Sequence, residues 1–346
     1  MSNEENKINS QNHIKLPTLT DKIRNKFRAI FGYKEGKKFI DDTKPYIRKY
    51  SEIELGIIAN IEQKLKNVLA INDNKGTLTD GLNKEEAIKL LEWIVQRDRM
   101  ILDKDNIKEN SLLGLCGLSQ GVVSTFLTNM GLEPRVSNIN PTITGAGLGG
   151  HAFNSVALPI KDGNGKVHET NFLIDATYRQ FFLRNEISIS GRFVKDKRFG
   201  NKVSPMAGYW CINLPGGKEF ANEILKNGFV ELTAENAKIY GDSFILENEK
   251  DGEFRKRYKE GTTIPVSATK KIDTGISGEQ YIAWFADKTR QDYRGIDYEE
   301  NELEEYYGDL MKTPLMQKKE YQQKSYNNEQ VQKEKMPMIS PDIDKV

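Results

Sequence analysis

The sequence predicts an α+β fold: a helix packed on an antiparallel sheet, with flanking helices and disordered termini. Three observations carry this. Leu118, Val122, Val123, Phe126, Leu127 and Met130 recur at three- and four-residue steps, the spacing of one apolar helix face. HAFNSVALPI and KVHETNFLIDAT are β-prone runs on either side of Asp162-Gly163-Asn164-Gly165, which holds both a DG and an NG turn signal. Ile53, Ile57, Ile61, Leu65 and Val68 place a second apolar stripe on residues 52–71.

Taken in order, residues 1–18 are polar and Asn-rich and are expected to be disordered. Residues 19–105 form an N-terminal helical region. Its basic start, Leu19 to Lys38, carries Ile23, Phe27, Ile30 and Phe31 at helical spacing. A short helix covering the main domain explains these better than a membrane-surface helix, because the polar face is not purely basic. Asn83 caps a helix over Lys84–Leu102, with Glu85 and Glu86 in the first turn. Asn72–Gly81 lacks the carboxylate spacing and terminal Glu of a calcium loop.

Residues 106–250 hold the core. After the hairpin, Met206–Leu214 reads as a buried strand with Cys211 as a packed thiol. A helix from Lys218 closes at Gly228, and another opens at Thr233 and Glu235. Asp242–Glu249 reads as a further strand. Residues 251–311 are a lid or helical extension, in which Tyr281, Ile282, Trp284 and Phe285 anchor a helix on the domain. The acidic run Asp297–Asp309 reads as a solvated helix flank in preference to a docking face for a basic partner. Residues 312–346 are Gln/Lys-rich with Pro314, Pro337 and Pro341 and are expected to be a disordered tail.

The bulk composition excludes several classes. With 51 basic and 50 acidic residues, no global field points to nucleic acid or to a membrane surface. No apolar run is long enough to span a bilayer, so stable membrane insertion is not expected. The N-terminus lacks the apolar core of a secretory signal. Cys116 and Cys211 are too far apart for a metal-ligand spacing or a disulfide framework, which fits a reducing compartment. No cofactor and no metal are expected, and the oligomeric state is left open.

The candidate chemistry lies between Asn110 and Phe182. Cys116 falls in the first turn of its helix, where unpaired N–H groups and the helix dipole favour a thiolate. The amides of Cys116 and Gly117 are placed to hold an oxyanion. Of three histidines, His13 lies in the tail and His168 in mid-strand, while His151 follows the Gly-rich GAGLGG. If the hairpin folds back about Gly163, His151 and Asp175 become cross-strand neighbours, and the carboxylate aims the imidazole at Cys116. Asp162 is assigned to turn chemistry. Gln180 either orients the histidine or substrate or is a half-buried strand residue. Asn110 either assists the oxyanion or, the preferred reading, caps the helix.

A Cys at a helix start, a strand opening HA-aromatic-N-x-V and a strand closing on LIDAT resemble the transglutaminase-like branch of papain-fold cysteine enzymes. The D-x-T-x-x-Q-F run of Asp175–Phe181 is similar, more narrowly, to the papain-like deamidase domains of bacterial toxins and secreted effectors. The chain departs from that pattern at Phe153, where a tryptophan is usual, and in a longer loop between the strands. The resemblance implies a Cys116–His151–Asp175 triad and a protein substrate, such as a host protein whose glutamine side chain is deamidated. It also implies export from the bacterial cytoplasm to a host cytosol. Transglutamination, peptide or isopeptide cleavage, and a non-catalytic binding module on the same fold are the alternatives.

Overall fold

The computed structural model describes residues 47–104, 115–139, 151–181, 211–212, 214–244, 276–286 and 300–335. The expectations for residues 1–18, Leu19–Lys38 and 251–275, and for Asn110, lie outside these residues.

Helices α1 (Glu52–Lys75), α2 (Lys84–Lys104) and α3 (Cys116–Asn129) lead into a four-stranded antiparallel sheet in the order β1-β2-β3-β4. The strands are β1 (Arg135–Ile139), β2 (His151–Lys161), β3 (Val167–Ile174) and β4 (Phe229–Glu231). Helix α4 (Gly217–Asn227) precedes β4, and α5 (Ala234–Phe244), α6 (Gly278–Phe285), α7 (Glu300–Tyr307) and α8 (Pro314–Lys335) follow it. The architecture is α+β.

Side chains alternate across a strand, so a sheet buried on both faces divides its apolar residues by parity. Val156, Leu158, Ile160, Phe172, Ile174 and Phe229 enter a core built with α1, α2 and α3. Phe153, Leu173 and Val230 enter a second core built with α4, α5 and α6. The result is three layers, with the sheet in the middle. Burial of β2 along nearly its whole length follows from this, and its run of apolar residues reads accordingly.

Local signals explain the element ends. Ser51 and Glu54 form a capping box at the start of α1. Asn83 and Glu86 form the reciprocal pair at α2. Gly131 turns the chain out of α3 with φ 85°, and Gly228 ends α4 with φ 77°. In the hairpin, Asp162 accepts the amides of Asn164 and Lys166, so its role is in the turn.

Several expectations change. The stripe on α1 is Ile58, Ile61, Leu65 and Val68, whereas Ile53 is 78% and Ile57 46% exposed; the helix is rotated from the face its isoleucines alone suggest. Helix α3 is not amphipathic but buried nearly all round, because it sits between α2, β1, β2 and α7. Cys211 is helical and Ile212 lies in a turn, where a buried strand over Met206–Leu214 was expected; the part of that strand before Cys211 lies outside the described residues. Asp242, Ser243 and Phe244 continue α5 as helix and do not begin a strand, since Asp242 and Ser243 are held by Tyr281 and Tyr240.

The expected disordered tail from residue 312 is instead helical over Pro314–Lys335. The cause is tertiary. Glu62 of α1 is fully buried and accepts the Thr313 hydroxyl at 2.8 Å and the Leu315 amide at 3.0 Å, placing a carboxylate at the N-terminus of α8. Replacing Glu62 by Ala strands both donors and is expected to cost about 1–3 kcal/mol, with early proteolysis of the C-terminal segment as the readout. In the acidic run, Leu303 and Tyr307 are buried while Glu305 and Tyr306 face solvent, the pattern of a helix flank.

Candidate active site

Cys116 is the first residue of α3, and the preceding N-cap position is Leu115, which makes no side-chain capping bond. The expected cap, Asn110, does not occupy it. The first intrahelical bond is donated by the Ser119 amide to Leu115, which leaves the earlier amides, Gly117 among them, without helical acceptors. The thiol is half-buried and hydrogen-bonds with the His151 ring, and the Ala152 amide donates to the sulfur.

His151 opens β2 and is 2% exposed. Its Nε2 lies 2.6 Å from Asp175 Oδ2, leaving Nδ1 for the thiol. The register reaches this pairing by a different route from the one expected. Lys161 pairs with Val167 and Asn154 with Ile174, so the hairpin centres on Asn164 and not Gly163. His151 and Asp175 are therefore not directly opposed. They share the face of the sheet that carries Phe153 and Leu173 and meet on the diagonal, where β3 has ended and the chain turns.

That turn positions Asp175. Its amide donates to the Gly228 carbonyl at 2.8 Å. Gly228 must be glycine there, since a Cβ would stand 2.5 Å from Val95 Cγ1 and its φ is 77°. Thr177 donates both its amide (3.1 Å) and its hydroxyl (3.0 Å) to Asp175 Oδ1. Tyr240, fully buried on α5, donates its hydroxyl to Oδ2 at 3.0 Å. Gln180 Nε2 bonds Thr177 Oγ1 at 3.2 Å and lies 3.4 Å from His151 Nδ1, too long for a firm hydrogen bond. Phe181 stands edge-on to the imidazole at 4.5 Å between centroids. The D-x-T-x-x-Q-F run thus encloses one imidazole.

The electrostatics follow from these contacts. Burial disfavours a charged imidazole, but the Asp175 charge and hydrogen bond, joined by Cys116, outweigh it and raise His151 to about 9. Burial likewise opposes the Cys116 thiolate, yet the His151 contact and the Ala152 amide win and hold the thiol below its ordinary value, with Asp175 acting against them. The pair therefore favours thiolate and imidazolium. Cys211 is the contrast: burial pushes it up to about 12, against a hydrogen bond with Tyr178.

For Thr177 a local signal exists in the sequence, since D-x-T favours a side-chain turn. For Tyr240 there is none. Tyr240 lies 65 residues after Asp175 on a helix whose own pattern marks it only as core. Tyr240→Phe is expected to slow alkylation of Cys116 about tenfold through loss of one bond to a charged acceptor, with the fold kept, as read by circular dichroism.

Among the described residues no cluster of His, Cys, Asp and Glu could hold a metal ion, and no helix is long and apolar enough to cross a membrane. No protein-family model, curated protein or solved structure matches the chain. The resemblance to papain-fold cysteine enzymes therefore rests on the residues quoted for it.

Proposed function

We propose that the protein is a cysteine acyltransferase or hydrolase on a papain/transglutaminase-like core, deamidating a glutamine side chain of a host protein after export. The observation that carries this is the contact series Cys116–His151–Asp175, in which a thiol at a helix start meets an imidazole held by a buried carboxylate. Exposure supports a side chain as the substrate group. The imidazole is 2% exposed and the thiol only half-buried, so a slender carboxamide reaching the sulfur end-on fits better than a peptide bond flanked by main chain.

In the proposed reaction the Cys116 thiolate attacks the carboxamide carbon, and the amides of Cys116 and Gly117 stabilise the oxyanion. His151 gives its proton to the nitrogen, the C–N bond breaks and ammonia leaves a thioester. His151 then takes a proton from water, whose oxygen attacks the thioester, and the thiolate departs from a new carboxylic acid. An amine in place of water gives cross-linking. Asp175 keeps the ring oriented.

Incubation with candidate host proteins followed by mass spectrometry tests this. A gain of about 1 Da at one glutamine, absent with Cys116→Ala, is the expected result. New chain termini would make the enzyme a protease, and a covalently joined pair of substrates a transglutaminase.

A further inference from the structure

Behind the nucleophile helix lies a second carboxylate that the chemistry above does not use. Asp98 on α2 is 0% exposed. Its Oδ2 accepts the Ser119 hydroxyl at 2.6 Å, while among the described residues its Oδ1 meets no hydrogen-bond donor. Ser119 stands one turn after Cys116 on α3, so this bond ties α2 to the face of the helix that carries the sulfur.

Arg99, from its own helix, and Asp175, from the end of β3, act on Asp98 as charges, and α3, which also carries Cys116 and lies against β2 with His151, presents the Ser119 hydroxyl to it. Arg99 attracts it from a distance, because the guanidinium donates to the carbonyls of Leu225 and Lys226. Asp175, by contrast, accepts from Thr177 twice, from Tyr240 and from the His151 ring. The site thus holds two buried carboxylates with opposite surroundings, one saturated with donors and one with a single hydroxyl.

We propose that Asp98 is a titrating charge behind the nucleophile helix, a neutral acid for as long as it holds its proton. On releasing its proton to solvent it places a negative charge behind Cys116 that repels anions forming at the sulfur. This rests on Cys116 being the nucleophile. Burial, aided by Asp175 and opposed by Ser119 and Arg99, lifts Asp98 to about 7, so release falls within the ordinary working range. Because acyl transfer builds an oxyanion beside the sulfur, the enzyme works best on the acidic side of that step.

Two alkylating reagents of like size read the charge directly. Iodoacetate is an anion and iodoacetamide is neutral, so the ratio of their rates at Cys116 reports the local potential. In the wild-type protein the iodoacetate-to-iodoacetamide ratio is expected to fall roughly threefold or more between about pH 6 and pH 8, the effect of one added charge near a partly solvated site. This window lies below the titration of His151 at about 9. In Asp98→Asn the ratio stays flat. In Ser119→Ala, where the carboxylate has lost its one hydrogen bond, the fall moves to higher pH.

A flat wild-type ratio, or a fall that Asp98→Asn retains, overturns the proposal; should that variant not fold, an unmoved fall in Ser119→Ala does so. Failure of the enzyme reading looks different: iodoacetamide would label Cys116 no faster than Cys211. Stability gives a second readout. A buried acid that keeps its proton only when folded costs stability as pH rises from the unfolded carboxylate range through about 7. Asp98→Asn should therefore gain more in melting temperature at pH 8 than at pH 5, which a purely structural substitution would not do.

Discussion

At neutral pH iodoacetamide is expected to modify Cys116 at least a hundred times faster than Cys211, and Cys116→Ala is expected to abolish both fast labelling and turnover. The thiolate is the reacting form, so the rates follow its population and access. Cys116 is half-buried, stands at a helix start and has its thiolate favoured by His151 and the Ala152 amide. Cys211 is fully buried and pushed up to about 12, which leaves a thiolate fraction on the order of one in a hundred thousand at pH 7. Peptide mapping after a short pulse reads the ratio. Equal and slow labelling would favour a binding module that keeps the fold without the chemistry, and wild-type turnover in Cys116→Ala would end the enzyme proposal.

Asp175→Asn is expected to lower turnover by roughly a hundredfold to ten-thousandfold while leaving measurable activity. Every neighbour of the carboxylate donates: the Thr177 amide and hydroxyl, the Tyr240 hydroxyl and the His151 ring. An asparagine offers one acceptor and one amide group to that set. If its oxygen serves Thr177, its amide faces His151 Nε2 and favours the tautomer that carries the proton on Nδ1. The ring then cannot take a proton from the thiol. The sulfur remains in place, so a residual rate persists.

The same substitution has a signature in stability against pH. His151 is raised to about 9 in the fold against about 6.5 unfolded. The folded state therefore binds the extra proton between those values, and the stabilisation is complete below about 6.5 and lost as pH rises through about 9. Denaturant midpoints of the wild-type protein should fall across that window from this source. In Asp175→Asn the fall should be largely absent. A substitution that merely loosened packing would lower the midpoints equally at all pH values.

Much of the core was legible in local pattern. The three- and four-step recurrence from Leu118 to Met130 fixes α3, and the DG and NG signals fix the hairpin, because both depend on near neighbours in the chain. The limits are equally physical. Ile53 and Ile57 satisfied a helical stripe but face solvent, since which face of α1 is covered depends on where α2 and α8 pack. The register moved by one residue at its centre, because a turn of Asp162 to Lys166 is decided by the bonds Asp162 makes to Asn164 and Lys166. The helix α8 could not be read from a polar, Lys/Gln-rich segment, since its N-terminus is held by a buried glutamate some 250 residues earlier.

By itself the sequence determined the identities and order of Cys116, His151 and Asp175, the helix start that favours an anion, and the hairpin that brings the other two within reach. These follow from spacing along one chain. Only the tertiary structure decided that Asp175 meets His151 on a diagonal through a glycine carbonyl and two threonine donors. It alone decided that Tyr240 supports the carboxylate, that Asp98 lies unpaired at one oxygen behind the nucleophile, and that the C-terminal segment folds. Each of these depends on which groups are removed from water together, and burial is a property of the packed molecule that no local stretch of sequence carries.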